Sequence, residues 1–100
     1  MSNQLNFTRI HCTALPYLPA LLQRWLPQGK QAGKEYVVRN PMRADKQPGS
    51  FKVNIRNGRW ADFATGDKGG DIISLTAYLF HLSQFEAARQ LAQMLGGSND

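Results

Sequence analysis

The chain is short and basic. Its 100 residues are enough for one small domain with a modest core, but too few for a typical catalytic domain with its own cofactor fold. Twelve Lys and Arg against seven Asp and Glu give a net charge of +5, which favours an anionic partner such as nucleic acid or a membrane surface. A solvated surface that keeps a small protein in solution would explain the same charge. We therefore expect a binding module and not an enzyme.

Cysteine content and hydropathy indicate the compartment. The single cysteine, Cys12, excludes an internal disulfide and leaves too few thiols for a cysteine-rich metal site. The longest apolar run, around residues 72–82, is interrupted by polar residues and is too short to cross a bilayer. No apolar leader segment opens the sequence. We expect a cytoplasmic protein in a reducing environment, with no membrane partner.

The first half of the chain predicts one helix and one strand. Leucines and a tryptophan at helical spacing indicate an amphipathic helix over residues 17–26, ended by Pro27. Residues 28–34, QGKQAGK, are predicted to form a loop. Residues 35–39, EYVVR, have the Tyr and Val content of a strand, and residues 40–49 are typical of a turn-rich connection.

Residues 50–63 predict a β-hairpin. Asn57 followed by Gly58 is a strong signal for a two-residue type I′ turn, which needs positive φ at both positions. Such a turn would place Ile55 opposite Trp60 and Val53 opposite Asp62. One face would then be apolar and buried, carrying Phe51, Val53, Ile55, Trp60 and Asp62. The other face would be basic and solvated, carrying Lys52, Asn54, Arg56, Arg59 and Phe63.

Two helices are predicted after the hairpin. Asp71 is the expected N-cap of a helix that ends near His81. Ser83 and Glu86 have the spacing of a capping box, which would begin a last helix over residues 84–95. The order helix, strand, hairpin, helix, helix predicts an α+β domain, in which a small antiparallel sheet packs with about three helices.

Residues 63–75, FATGDKGGDIISL, place glycines and a lysine in front of a helix. A phosphate-binding P-loop needs a Gly-Lys-Ser/Thr step, which this stretch lacks. A carboxylate, Asp71, also stands at the start of the helix, where a bound anion would lie. A glycine-rich turn with Asp71 as the helix cap explains the same residues, and we favour that interpretation.

Few residues could carry catalysis or bind a metal. His11, Cys12 and His81 match no zinc-ligand spacing, and we expect Cys12 to be a buried structural thiol. Three carboxylates close in sequence could suggest Mg²⁺, but capping and loop hydrogen bonds explain them; they are Asp62, Asp67 and Asp71. We expect no catalytic residue, no metal and no cofactor.

The basic face of the predicted hairpin is the strongest candidate site. Lys52, Arg56 and Arg59 would lie on one surface with Asn54 and Phe63 between them. A charged track with a ring for stacking is typical of proteins that bind single-stranded nucleic acid. The alternative is an edge hairpin that its charges protect from aggregation.

The order of segments in this part of the chain resembles a known family. The stretch is NPMRADKQPGSFKVNIRNGRWADFATGDKGGDIISL, residues 40–75. It resembles the zinc-ribbon domain at the N-terminus of bacterial-type DNA primases, especially the primase-like proteins of phages, plasmids and other mobile elements. In that family a Cys-Pro-x-His knuckle, a Pro-Ser-Phe segment, a β-hairpin, a Cys-x2-Cys knuckle, a glycine turn and a helix follow one another. The likeness covers about residues 35–96, which implies a single domain with this core and an N-terminal helical extension, residues 1–34.

The four zinc ligands of the family are replaced here. Asn40 and Arg43 stand in the first knuckle and Asp62 and Thr65 in the second, and this set cannot bind structural zinc as Cys and His do. We hypothesise that an ion pair between Arg43 and Asp62 replaces the metal, because a buried carboxylate needs a partner. Asn40 and Thr65 would then bind amides of the turns.

The resemblance implies a function in DNA replication. In the primases the ribbon contacts template DNA, while a separate domain synthesises the primer. We therefore expect a non-catalytic module of a primase-like protein that binds single-stranded DNA. The expected contacts are Arg39, Arg43, Lys46, Lys52, Arg56, Arg59, Trp60 and Phe63. The two aromatic residues would stack on bases, and the hairpin geometry favours Phe63 as the exposed ring.

Two alternatives stay open. A ribbon that lost its metal could also have lost DNA binding and become an adaptor that docks on a replication helicase or polymerase. The chain could also be a fragment of a larger primase. The salt dependence of binding distinguishes a DNA-binding module from the adaptor, because contacts to phosphates weaken steeply as the salt concentration rises.

Overall fold

The computed structural model describes residues 5–39 and 50–96. In it a helical N-terminal segment precedes a five-stranded antiparallel sheet and two further helices, which confirms the predicted α+β class. Among these residues no helix is long and apolar enough to cross a membrane.

The N-terminal segment is helical almost without a break. Helix α1 spans Phe7–Ala14, a one-turn 3₁₀-helix spans Leu15–Tyr17, and helix α2 spans Leu18–Trp25. Pro16 and Pro19 lie at the starts of the second and third pieces. Proline has no backbone N–H, and its ring clashes with the preceding turn. The two prolines therefore explain why the α-helix is interrupted by a 3₁₀ turn at this point.

The sequence did not predict α1. The side chain of Asn6 caps this helix by accepting the Arg9 backbone N–H at 3.0 Å, and asparagine is a favoured N-cap residue. The buried residues of α1 are Ile10 and Ala14. Two buried positions in eight residues give too weak a periodicity to be recognised in the sequence.

The sheet is a meander whose strands are neighbours in the order of the chain. Its strands are β1 Lys30–Ala32, β2 Glu35–Val38, β3 Phe51–Asn54, β4 Trp60–Asp62 and β5 Lys68–Gly69. The strand predicted over residues 35–39 is confirmed as β2. The loop predicted over residues 28–34 was wrong in part, because β1 pairs with β2 through a tight turn at Gly33, whose φ is 64°.

The predicted hairpin forms, but its register differs by two residues from the prediction. Val53 pairs with Trp60 and Phe51 with Asp62. A shift of two keeps every side chain on its own face, whereas a shift of one would exchange the faces. The predicted buried and solvated faces are therefore preserved.

The turn of this hairpin is longer than predicted. The Asn54 N–H donates to the Arg59 carbonyl at 2.7 Å, which leaves residues 55–58 as a four-residue loop. The side-chain oxygen of Asn54 accepts the backbone N–H groups of Arg56 at 2.8 Å and Asn57 at 3.3 Å. This side-chain turn competes with the type I′ turn, so Gly58 has positive φ but Asn57 does not.

The core lies between one face of the sheet and the helices. Large apolar side chains alternate along β2, β3 and β4 and pack against buried leucines and isoleucines of the helices. The buried cluster includes Ala14, Leu18, Leu22, Tyr36, Val38, Phe51, Val53, Trp60, Ile72, Ile73, Leu75 and Leu91. The helices before residue 35 therefore contribute to this core.

Helix α3 spans Ile72–Phe80, and Asp71 caps it as predicted. The Asp71 carboxylate accepts the Ser74 N–H at 2.8 Å, and the Ser74 hydroxyl accepts the Asp71 N–H at 3.4 Å. The pair forms a reciprocal capping box, which the sequence predicts for the last helix and not for this one. The helix ends at His81, which adopts a left-handed conformation with φ of 57°.

Helix α4 spans Gln84–Met94, and its cap is one-sided. The Ser83 hydroxyl accepts the Glu86 N–H at 3.0 Å. The Glu86 carboxylate binds Arg89 and Gln90 instead of returning to Ser83. These two partners hold the pKa of Glu86 below its usual value.

Candidate nucleic-acid interface

The outer face of the sheet is open, because the core occupies the inner face. Alternate residues of β3 and β4 that point away from the core are half-buried, and the residues that follow β4 are exposed. A shallow groove of about 630 Å³ lies on this face, and its lining includes Lys52, Asn54, Arg59, Phe63 and Lys68. Four of the residues predicted for the site therefore line one groove: Lys52, Arg59, Trp60 and Phe63.

Phe63 is the most exposed large apolar side chain that the structure describes, with 70% of its surface accessible. Its N–H donates to the Ser50 carbonyl at 2.8 Å, which extends the hairpin by one hydrogen bond beyond the end of β4. The Lys52 Nζ lies 5.4 Å from the centroid of the Phe63 ring, within the range of a cation–π contact. The prediction that Phe63 is the exposed ring is confirmed.

A turn formed by residues 62–67 holds Phe63 at the edge of the groove. The Asp62 side chain, which is 1% exposed, accepts the N–H of Ala64 at 2.8 Å and that of Thr65 at 3.4 Å. The Thr65 hydroxyl in turn accepts the Asp67 N–H at 3.1 Å. Asx and threonine turns of this kind fix a short loop without a metal. Thr65 thus binds a turn amide as hypothesised.

The other half of that hypothesis lies outside the described residues. Asn40 and Arg43 fall in the segment 40–49, as does Lys46, another of the expected DNA contacts. The ion pair between Arg43 and Asp62 therefore stays a prediction. Among the expected contacts Arg39, Arg43 and Lys46, the structure describes Arg39, which is exposed just after β2.

Trp60 belongs to the core, so its prediction as a stacking residue needs correction. The side chain is 6% exposed, and its indole N–H donates to the Ser74 hydroxyl at 2.9 Å. Its ring lies 4.6 Å from Tyr78 and 5.7 Å from Phe51, measured between centroids. Trp60 thus contributes little accessible surface to the groove that it lines, and Phe63 is the more accessible aromatic residue of that groove.

The cations of the outer face remain available to a ligand. Arg56 and Arg59 are exposed, and Lys52 is half-buried beside Phe63. Within the part of the chain that the structure describes, one ion pair is present, and it joins Arg89 to Glu86 on α4. No described carboxylate therefore forms an ion pair with the outer-face cations, and Glu35 is the carboxylate that lines the same groove.

Sequence reasoning missed two lysines of this face. It placed Lys30 in the loop 28–34 and Lys68 in the glycine turn, but they lie in β1 and β5. These strands contain three and two residues, too few to show an alternating pattern. Only their pairing with β2 and β4 shows where the two side chains lie.

Two of the residues considered as metal ligands, His11 and Cys12, lie on helix α1. The His11 Nδ1 accepts the Ile72 backbone N–H at 3.2 Å, which places this imidazole at the start of α3. Cys12 is exposed, so the expectation of a buried thiol was wrong: it lies on the solvent side of α1, away from Ile10 and Ala14. Over residues 5–39 and 50–96, no three His, Cys, Asp or Glu side chains could hold a metal together.

Comparison of the chain with models of protein families, with curated proteins and with solved structures finds no match. The likeness to primase ribbons therefore rests on the order of segments over about residues 35–96, and it stays a hypothesis.

Proposed function

We propose that the protein is a non-catalytic module that binds single-stranded nucleic acid on the outer face of its sheet. The observation that carries this proposal is the exposed ring of Phe63 beside Lys52, in a groove that also contains Arg59 and Lys68. Aromatic rings stack on bases while lysine and arginine contact the backbone, and this combination is the usual means of binding single strands.

The arrangement favours single strands over duplexes. Bases inside a duplex are already stacked, so a ring at the rim of a shallow groove cannot reach their faces. The outer face is formed by strands and a short turn, and no described helix projects from it to enter a major groove. The order of segments further suggests a cytoplasmic primase-like replication protein with template DNA as the ligand.

Fluorescence anisotropy tests the proposal. Labelled single- and double-stranded oligonucleotides of one sequence are titrated with the protein between about 50 and 200 mM salt, and zinc content is measured on the same sample. We expect zinc-free protein to prefer the single strand, with an affinity that falls steeply as salt rises. The triple variant Lys52→Ala, Arg56→Ala, Arg59→Ala should lose most of this binding. Absence of binding at the lowest salt would contradict the proposal.

Exposed apolar residues of helices α2, α3 and α4 favour a second candidate function, the protein-interaction adaptor. Phe80 and Met94 are 47% and 42% exposed there, and Trp25 meets Phe80 edge to face at 5.4 Å. These three residues line a groove of about 460 Å³. An adaptor held by apolar contacts would bind a helicase or polymerase with little dependence on salt, and Phe80→Ser would abolish that binding.

A further inference from the structure

The strand register aligns three lysines across the whole outer face. Lys30 pairs with Val37, Val37 with Lys52, Lys52 with Ala61, and Ala61 with Lys68. Directly paired residues of an antiparallel sheet have side chains on the same face. The five residues therefore form one line from β1 to β5, in which lysines alternate with short apolar side chains. We call Lys30, Lys52 and Lys68 the lysine row.

The geometry of the lysine row suits an extended polyanion. Neighbouring strands lie about 4.8 Å apart, so successive lysines of the row are separated by about 10 Å. The intervening Val37 and Ala61 are uncharged and do not compete for the ammonium groups. The described strand residues of this face include one carboxylate, Glu35, which lies opposite Asn54 in the neighbouring line of residues.

Phe63 and Arg59 lie on opposite sides of the lysine row. Arg59 precedes β4 and Phe63 follows it, whereas Ala61, the residue of β4 in the row, is at its centre. The contact between the Lys52 Nζ and the Phe63 ring places the ring directly beside the row. A backbone that follows the lysines could therefore turn its bases toward Phe63.

We propose that a single strand crosses the sheet along the lysine row, from β1 to β5, with phosphates on Lys30, Lys52 and Lys68 and bases toward Phe63. This inference rests on the proposed function and defines the path of its ligand. The sequence pattern alone suggested a different path, along the hairpin through Lys52, Arg56 and Arg59. The two paths share Lys52. Lys30 and Lys68 belong to the first path alone, and Arg56 and Arg59 to the second.

Salt dependence of binding distinguishes the paths. The probe is a fluorescein-labelled thymidine oligonucleotide of about 12 residues. For Lys30→Ala and for Lys68→Ala, we expect the slope of log Kobs against log salt to be shallower than the parent's by about 0.7 each. Lys30→Arg and Lys68→Arg retain the charge and should retain the slope. Arg24→Ala removes one exposed charge from α2, on the helical side, and should leave the slope unchanged.

The outcomes separate this inference from the proposed function. If the parent binds but Lys30→Ala and Lys68→Ala behave like Arg24→Ala, the path is overturned and the function stands. If the parent does not bind, both fall. The direction of the bases has its own test, an abasic oligonucleotide of the same length: Phe63→Ala should weaken binding to the thymidine probe and leave binding to the abasic probe unchanged. An equal loss on both probes would overturn that orientation.

Discussion

Residues that are neighbours along β3 and β4 lie in opposite environments on the two faces of the sheet. Phe51 and Val53 are fully buried against the helices, while Lys52 between them lies on the open face beside Phe63. The inner face also contains Asp62, a buried carboxylate whose hydrogen bonds close the turn that carries Phe63. Substitutions on the inner face should therefore change stability, and those on the outer face should change binding.

The largest expected effect is at Phe51, in the centre of the inner face. Its ring is completely buried, and the ring centroid lies 5.7 Å from that of Trp60 and 6.0 Å from that of Tyr78. Phe51→Ala should lower the free energy of unfolding by about 3–5 kcal/mol, because it removes apolar burial and leaves a cavity. Urea denaturation followed by circular dichroism measures this loss. Phe51→Leu, which fills more of the space, should cost less, and a loss below about 1 kcal/mol for alanine would contradict the assigned core.

Asp62 should give the next largest effect. Asp62→Ala removes the acceptor for the Ala64 and Thr65 amides and the predicted partner of Arg43, so we expect a loss of about 3 kcal/mol or more. Asp62→Asn keeps an acceptor oxygen but not the charge, and its loss should be intermediate. Chemical denaturation of both variants provides the measurement. A loss below about 1 kcal/mol for Asp62→Ala would contradict the hypothesis of an ion pair between Arg43 and Asp62.

The same variants can be combined with Arg43→Ala in a double-mutant cycle. If Arg43 and Asp62 are paired, the double variant should be little less stable than Asp62→Ala alone, because that substitution already breaks the pair as well as the turn. Additive losses would show that the two residues act independently.

A smaller effect is expected at Gly69, opposite Trp60 in the sheet. A Cβ at this position would overlap the Trp60 Nε1 and the Ser74 Oγ, which are joined by a hydrogen bond of 2.9 Å. Gly69→Ala should therefore cost about 1–3 kcal/mol of unfolding free energy. Gly70 is the matched control, since a Cβ there would have no atom within 4 Å. Equal stability of the two alanine variants would show that the packing of Trp60 does not need the absence of a side chain at residue 69.

Local patterns in the sequence predicted part of this fold. Alternation along residues 51–54 and 60–63 identified both faces of the sheet, and Asp71 and Ser83 marked the starts of α3 and α4. These features depend on a few adjacent residues, which the sequence shows directly. The same alternation already placed Trp60 on the apolar face, so it argued against Trp60 as a stacking residue.

Features that depend on long-range pairing were not predictable in this way. The hairpin register was changed by one side chain, Asn54, which binds the amides of its own loop. Strand β1 is exposed at all three positions, so neither alternation nor burial marks it in the sequence. Lys30 and Lys68 are 38 positions apart in the chain, and only the pairing of β1 through β5 brings them into one line.

Phe63 should have the smallest effect on stability, because its side chain is mostly in solvent. We expect Phe63→Ala to change the free energy of unfolding by no more than about 0.5 kcal/mol. The free energy of binding to a single strand should nevertheless weaken by about 1–3 kcal/mol, which is the usual contribution of one base stacked on an aromatic ring. Thermal or urea unfolding and fluorescence anisotropy on the same preparations measure the two quantities.

Phe85 is the matched control for this prediction, since it is 54% exposed and lies at the start of α4. Phe85→Ala removes an exposed ring of the same size from the helical layer and should leave the affinity for single strands unchanged. Phe63→Tyr keeps a ring at the groove and should keep most of the binding. If the two alanine variants bind equally well, Phe63 has no role in stacking, and binding by the outer face would depend on its cations alone.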